Sequence, residues 1–221
     1  MAQSRSLGRV RGIARSWRDE GDGPIAPRWR GVDNLKMAHE FTTSYLADAV
    51  GVFHSYKRLG ERALAQVSDE ALTAVLDSES NSIAITVKHM AGNMRSRWTD
   101  FLTTDGEKPN RNRDTEFESP ATTRAELIAQ WDAGWKYVFE ALSALTDADL
   151  GRTVMIRNEP HSVMQAINRQ LAHYSYHVGQ IVFLAKHFAA DHWTSLTVPR
   201  GKSAAFNSQV HAGQIPKPDE K

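Results

Sequence analysis

Apolar residues return every three or four positions along four stretches of this chain, a period that suits helices burying one stripe and little else. Tyr45, Leu46, Ala49, Phe53, Tyr56 and Leu64 trace the first stretch, from Met37 to about Val67. Ile83, Val87, Met90, Met94, Trp98 and Phe101 trace the second, from Ile83 to Leu102, with the polar run from Asp77 to Ser82 supplying its N-cap. Thr123 and Glu126 have capping-box spacing and open the third, whose stripe runs through Leu127, Trp131, Trp135, Val138, Leu142 and Leu145. Ser162 and Gln165 repeat that signature before the fourth and longest, Val163 to Phe188. Only Thr153–Arg157 has β character, enough for a small hairpin or an extended connection. The expected fold is all-α, a four-helix bundle with sites built from inward side chains on facing helices.

The connecting segments add three expectations. Residues 103–122 are polar, hold two prolines and show no period, which predicts a long loop between the second and third helices. A C-terminal extension through Trp193, Leu196 and Phe206 is expected to pack on the bundle, with residues 208–221 a flexible tail. Residues 1–36 carry net charge +4 against −3 for the remainder, with five glycines and two prolines, and read as a disordered basic extension before a domain spanning 37–207. Two functional alternatives for that head are a nucleic-acid arm and a transit segment, and another possibility is that translation begins at Met37. The acidic balance of the rest makes nucleic acid the weakest partner class. No apolar run reaches membrane-spanning length and no secretory signal opens the chain, so the expected location is the cytoplasm.

There are no cysteines, so metal ligands must come from His, Asp or Glu. His173 and His177 lie one helical turn apart and can grip one cation from adjacent positions. Nine histidines in 221 positions give about a third of one such pair by chance, so spacing alone is a weak signal. Its place on the inward stripe with Ala166, Gln170, Ile181 and Leu184 strengthens it, because buried imidazoles need partners. His89, mid-way along the second helix, is the natural third ligand, and Gly92 beside it would let another helix approach. His54 is the one further candidate. A metalloprotease would need a glutamate between the paired histidines, where Tyr174, Ser175 and Tyr176 stand. A di-iron bundle would need paired Glu-x-x-His motifs, which are missing. Pro199-Arg200-Gly201-Lys202-Ser203 lacks the frame of a phosphate loop. Three imidazoles suit zinc, nickel, iron or manganese alike.

NSIAITVKHMAGNMRSRWTDFLTTDGEKPNRNRDTEFE (81–118), WDAGW (131–135), HYSYHVGQI (173–181) and WTSLTVPRGKSAAFN (193–207) resemble the DUF1572 branch of the DinB/YfiT-like superfamily. The resemblance spans about residues 37–207. It implies a four-helix bundle with one divalent metal ion on His89, His173 and His177, a homodimer, and in some relatives a transferase or isomerase that activates a low-molecular-weight thiol. A small electrophilic substrate follows, with a non-catalytic stress-response protein holding a structural metal as the alternative. The crowded loop charges read either as a solvated surface or as a lid. On the second reading Arg97, Arg111, Arg113 and Arg200 are candidate substrate-binding residues.

Overall fold

The computed structural model describes residues 42–118 and 123–214. Within these the chain forms α1 (Tyr45–Leu64), α2 (Asp69–Thr73), α3 (Ile83–Trp98), α4 (Arg124–Ser143), β1 (Thr153–Ile156), β2 (Glu159–Ser162), α5 (Val163–Ala189) and α6 (Ser203–His211). The fold is all-α apart from one hairpin. The expectations for residues 1–36, for the start of the first helix at Met37 and for residues 215–221 lie outside the described residues.

Side-chain caps set where the helices begin. Ser44 Oγ accepts from the Ala47 amide at 3.1 Å, so α1 opens at Tyr45. Ser82 Oγ accepts from the Ile85 amide at 3.2 Å, and both predicted capping boxes, Thr123 with Glu126 and Ser162 with Gln165, are closed. α3 ends at Trp98 rather than Leu102. Asp100 turns into the left-handed region at φ 48°, and its carbonyl collects the amides of Thr103 and Thr104 at 3.0 Å each.

The four long helices share one core. Phe53 of α1 meets Trp98 of α3, Trp135 of α4 and Tyr174 of α5 at ring separations of 6.0, 6.2 and 5.9 Å, so it gathers one aromatic residue from each of the other three long helices. Gly60 of α1 lies against the buried Trp131 ring, where a Cβ would fall 2.6 Å from two indole carbons. Gly60→Ala therefore forces a packed ring to move. The overpacking cost of about 1–3 kcal/mol exceeds the gain in helix propensity of about 1 kcal/mol. The net loss of about 1 kcal/mol should lower the melting point in thermal denaturation by about 2–4 °C.

α3 is buried on more sides than its apolar stripe predicts. Thr86, His89, Asn93, Ser96 and Arg97 are enclosed together with the apolar residues. The cover is the segment after α3. Ser96 Oγ and the Arg97 guanidinium donate to the Gly106 carbonyl, and the Lys108 amide donates back to Ser96 Oγ at 3.1 Å. A 3-10 turn at Asp114–Phe117 then lies along the helix. The far side of the segment is held by the hairpin. β1 and β2 pair antiparallel, Thr153 opposite Ser162, through a turn in which Arg157 and Asn158 have φ of 56° and 60°, the type I′ arrangement. The Asp105 carboxylate accepts from the amides of Arg157 and Asn158 at 2.8 and 2.7 Å, and the Gly106 amide donates to the Met155 carbonyl at 2.8 Å. The long loop is thus clamped between α3 and the hairpin.

The C-terminal extension packs through Leu196, which is buried, and through Gln66, whose amide group bridges the backbone of Thr194. α6 crosses the expected domain edge at 207; none of its side chains is fully buried, and Phe206 is half-buried. No helix among the described residues is long and apolar enough to cross a membrane.

Candidate metal centre

His173 and His177 occupy consecutive turns of α5 with their Nε2 atoms 3.1 Å apart. His89 meets them from α3, its ring centroid 5.5 Å from that of His173 and 4.9 Å from that of His177. One ring nitrogen from each of the three falls within 4.8 Å of the others. Two imidazole nitrogens bound to one ion at about 2.0–2.1 Å stand about 2.9 Å apart at octahedral positions and about 3.3 Å apart at tetrahedral ones. The α5 pair fits that window. The wider spacing across the group means that closure on one ion would draw the rings together by about an ångström.

Two of the rings are braced from behind. His89 Nδ1 lies 2.9 Å from Glu116 Oε2, which as a carboxylate accepts the proton and leaves Nε2 as the lone-pair nitrogen. His177 Nδ1 donates to Gln180 Oε1 at 2.8 Å, with the same consequence. The carboxylate is itself fixed, since Arg111 Nε and Nη2 each donate to it at 2.8 Å. Phe117, next in the chain, stacks on the His89 ring at 4.8 Å. Gly92 makes this possible. A Cβ there would sit 2.7 Å from Glu116 Cδ, so the glycine admits the loop's carboxylate and not, as expected, another helix.

Electrostatics keeps the α5 imidazoles unprotonated. Burial, then the neighbouring His177, His89, Arg97 and Arg111, lower the pKa of His173 to about 3, and burial also lowers that of His177. Burial works to raise the Glu116 carboxyl, but hydrogen bonds from His89 and Arg111 outweigh it and hold the group below its usual range. Neutral imidazoles beside an ionised carboxylate form a donor set suited to a divalent ion. For the metal-free chain the linkage has one sign. Between about pH 6.5 and 3 the unfolded state binds a proton at His173 that the folded state refuses, so stability falls as pH falls. Melting curves across that window should shift steadily downward on acidification.

A cleft of about 410 Å³ opens beside His89 and His173. Arg97, Arg111, Arg113, Arg157 and Arg169 line it together with Asn93 and Gln170. The first three were expected near the metal ligands. Arg200 was expected with them; it is exposed on the C-terminal extension and is not among the residues that line this cleft. His54, the further ligand candidate, stacks on Phe139 at 3.9 Å on the exposed side of α1 and stands outside the histidine group. Glu116, Gln180, Arg157 and Arg169 were not singled out in advance. Arg169, four residues before His173, was reachable from the helical period. Glu116 stands among several similar acids in one loop, and nothing local distinguishes it.

Between cleft and core, Tyr174 Oη donates to Asn93 Oδ1 at 3.2 Å, Gln170 Nε2 donates to the same oxygen at 3.2 Å, and Trp98 Nε1 donates to Tyr174 Oη at 2.9 Å. Burial pushes the Tyr174 phenol well above its usual pKa, so it stays a hydrogen-bonding group and not a base. The family model described as "Protein of unknown function (DUF1572)" matches residues 40–202. No curated protein matches the chain.

Proposed function

The chain belongs to the DUF1572 family, and we propose that it is a mononuclear metal-dependent enzyme in which a thiol or water attacks a small electrophilic substrate. Three imidazoles converging beside an open cleft carry this reading. We further read the four long helices as the four-helix bundle of the DinB/YfiT-like superfamily, from the shared aromatic core and from a ligand set split between α3 and α5. The homodimer implied by the resemblance belongs to the same proposal, and light scattering on the full chain measures it directly.

His89, His173 and His177 would hold the ion. Once bound, zinc, nickel, iron or manganese would supply Lewis acidity, lowering the pKa of a thiol or water or polarising a carbonyl. The protein's own part is positional. Glu116 and Gln180 fix two rings, and the neutral ligand set leaves the charge of a dication undiminished. The cleft gives a substrate access, and the proton lost by the nucleophile leaves to solvent through its mouth.

A purely structural metal would be enclosed by protein with no cavity beside it. His173 and His177 are only partly buried, and His173 lines the cleft, which favours the catalytic reading. Elemental analysis of protein purified without chelators, followed by a thiol-consumption screen with and without chelator, tests it. The expected result is one divalent ion per chain and thiol consumption that chelation abolishes. Absence of stoichiometric metal would overturn the proposal.

A further inference from the structure

The charges around the cleft do not balance. Five guanidinium groups line it, and the carboxylates that reach them are Glu107 and Glu116. Each is already shared. Glu107 accepts from Arg97 at 3.0 Å, from Arg111 at 3.3 Å and from Arg157 at 3.0 Å, while Glu116 serves Arg111 and His89. Asp105 lies close by, but its oxygens are occupied by backbone amides. Among the described residues, even with Asp105 counted, two positive charges remain unmatched before any metal ion is added.

The surplus has an address. Arg97 is 5% exposed, and its Nε is buried without a hydrogen-bond partner. Its Nη groups already donate to the Gly106 carbonyl and to Glu107, so Arg97 gives the cleft wall positive charge and not a free donor. Arg113 lies over the Phe117 ring at 5.0 Å, and neither it nor Arg169 has a carboxylate partner among the described residues. Arg169 stands one helical turn before His173, about 6 Å along the axis of α5. An oxyanion held there places the rest of a small molecule against the imidazoles.

We infer that this cleft binds a small dianion, bearing carboxylate or phosphate oxygens, gripped by Arg113 and Arg169 against the positive wall that Arg97 forms, with its uncharged part directed at His89 and His173. This names the substrate class of the site proposed above and rests on that reading. The volume, about 410 Å³, lies in the range of small-molecule sites, and its concave shape does not offer the extended basic track that a nucleic-acid strand requires.

Isothermal titration calorimetry of the full chain with succinate, inorganic phosphate and uncharged succinamide tests the inference. Zinc-loaded and chelator-treated samples are compared, with metal content measured on each. Binding of at least one dianion and none of succinamide is expected, and the preferred dianion identifies carboxylate or phosphate as the natural group. Arg169→Gln and the double variant Arg113→Gln/Arg169→Gln alter exposed side chains, so circular dichroism and zinc content should not change. Their dianion affinity should fall about tenfold or more. Unchanged affinity in the double variant, no binding of either dianion, or succinamide binding as well as succinate would overturn the inference. Arginine-dependent binding by a chain that takes up no zinc in the zinc-loaded sample would leave the anion site standing and refute the metal reading. Zinc held without dianion binding would do the reverse.

Discussion

His173→Ala is expected to lower affinity for a divalent ion by more than about 100-fold, beyond the 10–100-fold typical of losing a group that only supports a ligand. The reason is geometric. The Nε2 atoms of His173 and His177 are already at a separation suited to a shared ion, and removing His173 leaves two ligands, one on α3 and one on α5. His173 makes no hydrogen bond through Nδ1, and the α5 backbone does not depend on its ring, so far-ultraviolet circular dichroism should keep its helical signal. Equilibrium dialysis with zinc gives the affinity. Wild-type affinity in the variant would remove His173 from the site, and loss of the helical signal would make the change one of folding.

Glu116 variants should separate two effects that one carboxylate now combines. Glu116→Ala leaves the Arg111 guanidinium, whose side chain is 5% exposed, facing a hole where two charge-assisted hydrogen bonds had been. Breaking a buried ion pair from one side costs about 3–5 kcal/mol, and the lower end applies because Glu107 still accepts from Arg111. Urea denaturation should show a loss of about 3 kcal/mol. Glu116→Gln keeps the shape and a carbonyl for His89 but loses the charge, so it should be milder in stability and still lower metal affinity about 10–100-fold. Equal stability of the alanine variant and wild type would mean that the loop does not depend on this carboxylate.

The parts of this site that sequence made legible are those governed by local rules. Ser82, Thr123 and Ser162 cap helices because each presents an oxygen to amides two or three residues on, a relation contained in a few consecutive positions. His173 and His177 share a face because the helical repeat places them there. His89 needed more, since a lone histidine has no local signature, and resemblance to a family selected it. Glu116 and Arg157 were hidden for a different reason. Their roles depend on the loop folding back along α3 and on a hairpin turn that presents its amides to Asp105, pairings across 27 and 52 residues. Gly92 marks a close approach in the sequence, but a glycine reports an approach without saying what approaches, and it is the Glu116 side chain that does so.

The same guanidinium groups bear on how a cation reaches the histidines. Any dication entering through the cleft passes Arg113, Arg157 and Arg169 at the exposed rim before it meets His89, which is itself only 4% exposed. That field slows the entry of a free aquo ion and hastens that of an ion escorted by an anionic chelator, and added salt weakens both effects. Loading rates should therefore depend on the counter-ligand more than on the metal. Citrate-bound zinc should load faster than aquo zinc at low ionic strength, with the two rates converging as salt is raised.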